Sequence, residues 1–178
     1  MTPKWSKVKL SLRPPPLDFE PIDACVWAEY SETPPTFIRE VHRRGKRRAG
    51  ILYEQKAQRE FRDQFGDRYM PSQWVRYRRG DDGRVRWCQP DGVLLDPARR
   101  SLTIIEFKYN HTENAWWQLF KLYLPVLERL FDGQGYEFRC VEVCKWMDPA
   151  IRCPQRPRLL DDVEKCEVGD FGVHIWSP

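Results

Sequence analysis

Tyr53, Ala57, Phe61 and Phe65 recur at steps of four, the spacing of one helical face, and Gly66 stands where such a helix would stop. The pattern predicts a helix over about 48–65, with Glu54 on its first turn beside the apolar stripe. After Gly66 the period changes to two. Strands are expected over Tyr69–Tyr77, Arg84–Leu95, Leu102–Tyr109 and Tyr136–Trp146, with a turn at Gly80–Gly83 and a short last strand at Gly172–Trp176. Leu119, Leu122, Tyr123, Val126, Leu127 and Leu130 form a second helical stripe. Asn110 or Thr112 can cap that helix, Pro125 should kink or split it, and Gly133-Gln-Gly135 ends it. The order helix, strands, helix, strand predicts an α/β layered domain with a mixed β-sheet. Residues 1–36 are rich in proline and are expected as an extended arm on a single domain spanning 37–178.

The chain has 178 residues, 41% of them hydrophobic, and eight tryptophans, which exclude a disordered polar chain. Its net charge of +4 is modest, but its distribution is not. Arg39, Arg43, Arg44, Lys46, Arg47 and Arg48 face a single acid, Glu40, in one stretch. Arg76, Arg78, Arg79, Arg84 and Arg86 interleave with Trp74, Tyr77 and Trp87 in another. Such stretches neutralise backbone phosphates, or are simply solvated loops. No apolar run reaches the length of a membrane span, and the first residues lack the apolar core of a secretion signal. The six cysteines follow no defensible zinc spacing; Cys140 and Cys144 share a strand face and read as core. Reduced thiols and a cytoplasmic location are expected, in a host cytoplasm if the chain is encoded by a phage or transposon.

The candidate chemistry lies in Asp91 and the triplet Glu106-Phe107-Lys108. Residues 92–105 read as a hairpin with a loop at Pro97–Arg100. Symmetry about that loop sets Asp96 against Ser101, Val93 against Ile104 and Asp91 against Glu106. Opposed Cβ atoms are about 4.5–5.5 Å apart, so like charges there need something positive between them. Lys108 shares the face of Glu106. Because that face is otherwise apolar, the carboxylates are expected to be partly buried, and a divalent cation is the usual partner of two such oxygen donors.

Pro90-Asp91 with Glu106-Phe107-Lys108 resembles the signature of the PD-(D/E)XK nuclease superfamily, and Glu54 and Gln118 match its helix-borne acid and its helix-borne glutamine. Tyr123, five residues beyond Gln118, echoes a Gln…Tyr pattern of some subgroups. The resemblance covers about residues 48–146. It implies a restriction-endonuclease-like fold, a mixed sheet flanked by helices on both faces. It implies Mg²⁺- or Mn²⁺-dependent hydrolysis of phosphodiester bonds, in DNA before RNA, by endonucleolytic cutting that leaves a 5′-phosphate. Asp91, Glu106 and the Phe107 carbonyl would hold the metal, Glu54 a metal-bound water or second ion. Lys108 would orient or deprotonate the attacking water, and Gln118 would position water or phosphate. Arg43, Arg44, Lys46, Arg47, Arg48, Arg76, Arg78 and Arg79 are the expected nucleic-acid contacts. A homodimer or a partner protein is compatible with this reading.

Two other classes fit the residues: a catalytically silent nucleic-acid-binding module, and a Trp-rich protein-assembly module. A nuclease carrying an iron–sulphur cluster on the late cysteines is a further variant. His42, His111 and His174 are scattered and read as non-catalytic, although His111 is near enough in sequence to touch a phosphate. Of Trp116 and Trp117, one is expected in the core and the other at the rim of the site.

Overall fold

The computed structural model describes residues 19–36, 46–80, 82–146 and 171–175. In chain order the elements are β1 (Cys25–Ser31), α1 (Lys46–Phe65), β2 (Tyr69–Pro71), β3 (Trp74–Arg79), β4 (Val85–Cys88), β5 (Gly92–Asp96), β6 (Ser101–Asn110), α2 (Glu113–Gln118), a π-helical turn (Leu119–Tyr123), α3 (Leu124–Leu130), β7 (Glu137–Trp146) and β8 (Phe171–Ile175). They build two sheets. One has three antiparallel strands in the order β1-β3-β4. The other has five in the order β2-β5-β6-β7-β8, antiparallel up to β6 and parallel from β6 to β8. The protein is therefore mixed α/β.

The central strand β6 separates two apolar layers. Ile105 and Phe107, with Val141 and Val143 of β7, pack against Tyr53, Ala57 and Phe61 of α1. Leu102 and Ile104, with Val93 and Cys140, face Trp116, Leu119, Tyr123, Val126 and Leu127. Helices thus cover both faces of the large sheet. Fully burying a large apolar side chain contributes about 1.5–3 kcal/mol, so the Phe61 position, 0% exposed and edge-on to Phe107 at 5.3 Å, anchors α1.

Where two long strands were expected, four short ones occur. Pro71 and Pro90 lack the N–H that would continue a ladder, and Ser72 adopts a left-handed φ of 36°. Both expected strands therefore break at the same level. The β3–β4 hairpin leaves the large sheet and joins β1, and a Gln89 Nε2 to Ser72 O hydrogen bond of 2.9 Å closes its stem. The proline-rich segment is not merely an arm. Its residues 25–31 form β1, and Ile22, 1% exposed, enters the core. Glu54 lies in the third turn of α1, not the first, so it does not complement the helix terminus.

Pro125 acts as expected, with an added consequence. It has no N–H for the Lys121 carbonyl four residues earlier. That carbonyl accepts instead from Ile22 N at 2.8 Å, and the helix widens into the π turn just before Pro125. Thr112 is the N-cap of α2, its side chain accepting from Asn114 N.

Candidate active site

The β5–β6 register pairs Gly92 with Ile105, Val93 with Ile104 and Asp96 with Ser101. Carried one step further, it sets Asp91 opposite Glu106 and Pro90 opposite Phe107. Asp91 Oδ2 accepts from Phe107 N at 2.7 Å, and the Asp91 and Glu106 carboxyls lie within hydrogen-bonding reach of each other. Lys108 Nζ forms an ion pair with Glu106 Oε1. Glu106 is 2% exposed, and among the described residues no donor reaches its buried Oε2. The N–H and C=O of one strand residue point to the same neighbour, so the Phe107 carbonyl faces the Asp91 side. Its ladder donor would be Pro90, which has none.

The electrostatics are those of a site short of positive charge. Burial above all, then the charges of Glu106 and Glu54, raise the Asp91 carboxyl well above the usual carboxylate range, against the pull of Lys108 and the Phe107 N–H. Burial likewise raises Glu106, opposed by Lys108. Burial by itself would lower Lys108, but Glu106 and Asp91 outweigh it and hold the ammonium above its ordinary value. Beside these two carboxylates the ammonium form of Lys108 is favoured.

The backbone at Asp91 is held from several sides. Its carbonyl accepts from Ser72 N at 3.1 Å and Ser72 Oγ at 3.3 Å, with Gln58 Nε2 at 3.3 Å and the Tyr69 hydroxyl at 3.4 Å. Gln58 also reaches Glu54 Oε1 at 3.1 Å and Ser72 Oγ at 2.7 Å. Gln58 is not among the sequence-predicted site residues. Its signal was the four-residue step from Glu54, which puts both amide and acid on one helix face. Gly92 is required for close approach, since a Cβ there would meet the Tyr69 ring at 2.5 Å.

Glu54 acts on Asp91 through its charge. Among the described residues no group of three or more His, Cys, Asp and Glu gathers closely enough to hold a metal, so Glu54 does not complete a three-acid cluster with Asp91 and Glu106. The donors that do converge are two carboxylates and the edge of β6.

Gln118 and Tyr123 come together across the π turn. Their side chains hydrogen-bond, and the Tyr123 hydroxyl is raised by burial and then by the charges of Glu106 and Asp91. In an α-helix residues five apart diverge; the wider turn stacks them. Trp116 is buried and stacked on Phe120 at 5.4 Å, while the half-buried Trp117 lies edge-on to it at 5.0 Å.

Glu142, in register with Glu106 on β7, was not anticipated at all. It is 0% exposed and is held by His111 Nδ1 at 2.7 Å and Thr112 N at 3.0 Å. His111 thus joins the strand ends to the cap of α2.

The basic residues divide. Arg43 and Arg44 lie outside the described residues; Lys46 and Arg47 open α1, and Arg48 is exposed there. Arg76 and Arg78 occupy the outer face of the three-stranded sheet. Arg79, expected at nucleic acid, is instead committed to the N-terminal segment, with Glu20 Oε1 at 2.6 Å and Pro21 O at 2.9 Å.

No family model, no curated protein and no solved structure matches this chain. No helix among the described residues is long and apolar enough to cross a membrane.

Proposed function

We propose that the protein is a Mg²⁺- or Mn²⁺-dependent nuclease on a restriction-endonuclease-like fold, cutting phosphodiester bonds within DNA and leaving a 5′-phosphate. The observation that carries this reading is the opposition of two buried carboxyls, Asp91 and Glu106, beside the Lys108 ammonium, with no donor among the described residues reaching Glu106 Oε2. Burying like charges together is costly without a compensating cation. Hard carboxylate oxygens and a main-chain carbonyl suit a small divalent ion that keeps positions for water and phosphate. Asp91, Glu106 and the Phe107 carbonyl would hold it. Such an ion supplies neutralisation of phosphoryl oxygens and a more acidic water.

The chain's own residues do the rest. Lys108, fixed by Glu106, offsets the charge that grows on the phosphoryl oxygens and orients the attacking water. Gln118, held by Tyr123, offers an amide toward water or phosphate. Gln58, Ser72 and Tyr69 keep Asp91 at its position. The parallel Glu142–His111 contact fixes the far end of β6 against the start of α2.

The test is nicking of supercoiled plasmid with Mg²⁺ or Mn²⁺ against EDTA. Wild type should nick only with the cation, and Lys108→Ala should lose about 100-fold or more in rate while still folding cooperatively and binding DNA. Nicking that persists in Lys108→Ala, or in EDTA, would overturn the assignment. Absence of cleavage with bound DNA would favour a silent binding module.

A further inference from the structure

The outer face of the three-stranded sheet has an unusual composition. Its inner residues, Val75 and Tyr77, are buried in the core. The pairings Arg78↔Trp27, Arg76↔Glu29, Arg76↔Trp87 and Arg78↔Val85 bring the alternate residues to the opposite side. An outward sheet face is ordinarily small and polar. This one presents Trp27, Trp74 and Trp87, two guanidiniums, and Val85 at 45% exposure. Arg78 lies over the Trp27 ring at 5.0 Å and Arg76 over Trp87 at 5.8 Å, while Trp74 meets Trp87 edge-on at 6.3 Å. Among the described residues the one acid on the face, Glu29, is neutralised by its ion pair with Arg76. Arg78 has no acidic partner among the described residues.

We propose that this face is the docking surface for an unpaired segment of the DNA strand, bases stacking on the indole and guanidinium planes and phosphates meeting Arg76 and Arg78. The proposal rests on the nuclease reading and adds to it the strandedness of the substrate. Stacking on such planes requires base faces that a duplex keeps covered. Guanidiniums ordered over indoles lose less freedom when they take a phosphate. The charge left over after Glu29 is positive, which complements a phosphate backbone.

The position of the face fits the same purpose. The hairpin that carries it springs from Ser72 and Gln89, and Ser72 hydrogen-bonds the Asp91 carbonyl. Trp74 stands two residues from Ser72. The surface and the carboxylate pair therefore share a single scaffold.

The experiment is equilibrium binding of a labelled oligo-dT of about a dozen nucleotides to the full chain in EDTA, read by anisotropy and by tryptophan fluorescence. A duplex of equal length is the comparison. The single strand should bind more tightly than the duplex and quench the indoles. Arg78→Glu, an exposed change, should weaken binding about tenfold and reduce the slope of log affinity against log salt by about 1, with unchanged melting temperature. Trp87→Ala should reduce the quench; if that variant misfolds, Arg78→Glu decides. Equal affinity in Arg78→Glu, tighter duplex binding or no binding overturns the proposal. Plasmid nicking run in parallel separates the two ideas. Oligo binding that responds to Arg78→Glu without cation-dependent nicking removes the nuclease and leaves the surface; nicking with unresponsive binding does the reverse.

Discussion

Gly92 shows how tightly single residues are constrained beside the carboxylate pair. Tyr69 crosses its backbone where any side chain would stand. Gly92→Ala should cost about 1–3 kcal/mol by overpacking, measured by urea unfolding. Tyr69→Ala in the same chain should recover much of the added loss, because the obstructing ring is gone. Additive losses in the double variant would show that the strain is not local. At this scale the sequence was informative about the acids, since Asp91, Glu106 and Lys108 share a face set by hairpin symmetry. It was silent on Glu142 and His111, which meet 31 positions apart through parallel pairing. No local period encodes which residues of two parallel strands stand side by side. Gln58 was legible in part, by its step from Glu54.

Among the elements, the stripe at steps of four located α1, and the loop at Pro97–Arg100 fixed the β5–β6 register. The misreadings share one cause. Strand-like residues stand on both sides of Pro71–Gln73 and of Gln89–Gly92, and these short breaks were read through because strands of both sheets alternate in the same way. Pro71 and Pro90 held the information that the chain changes sheets, and proline at a strand edge is otherwise ordinary. β1 was masked by the prolines around it. Pro125 makes a testable case at this scale. Pro125→Ala restores an N–H that competes with Ile22 for the Lys121 carbonyl and favours a regular α-helical turn. Gln118 and Tyr123 would then separate. The variant should retain stability within about 1 kcal/mol, by chemical unfolding, yet nick plasmid about tenfold more slowly. Full activity in that variant would remove the Gln118–Tyr123 contact from the mechanism.

Across the molecule, the carboxylate pair couples stability to pH and to cations. Unfolded Asp and Glu titrate near about 3.9 and 4.3, and both folded values are raised, chiefly by burial. Above those unfolded values the folded chain therefore holds more protons than the unfolded one. The pair's contribution is present in acid and is lost as pH climbs from about 4 through the raised folded values. In EDTA the melting temperature should decline over that interval, by about 2–4 °C for each kcal/mol in a chain of this size. Mg²⁺ or Mn²⁺ should restore it near neutral pH and do little in acid, and Asp91→Asn should abolish the cation response and lessen the decline with pH, which buried Glu106 still contributes. Differential scanning fluorimetry at several pH values, with and without cation, checks all three. A melting temperature indifferent to cation at neutral pH would count against ion binding there.

The parallel strand β8 completes the large sheet along β7, and it is made last of all the described elements. Until residues 171–175 leave the ribosome, β7 carries a row of unsatisfied amides and carbonyls at the border of an otherwise finished core. Between the making of β7 and that of β8 the nascent chain thus carries an adhesive margin, and its safe production depends on how quickly that late segment arrives to seal it.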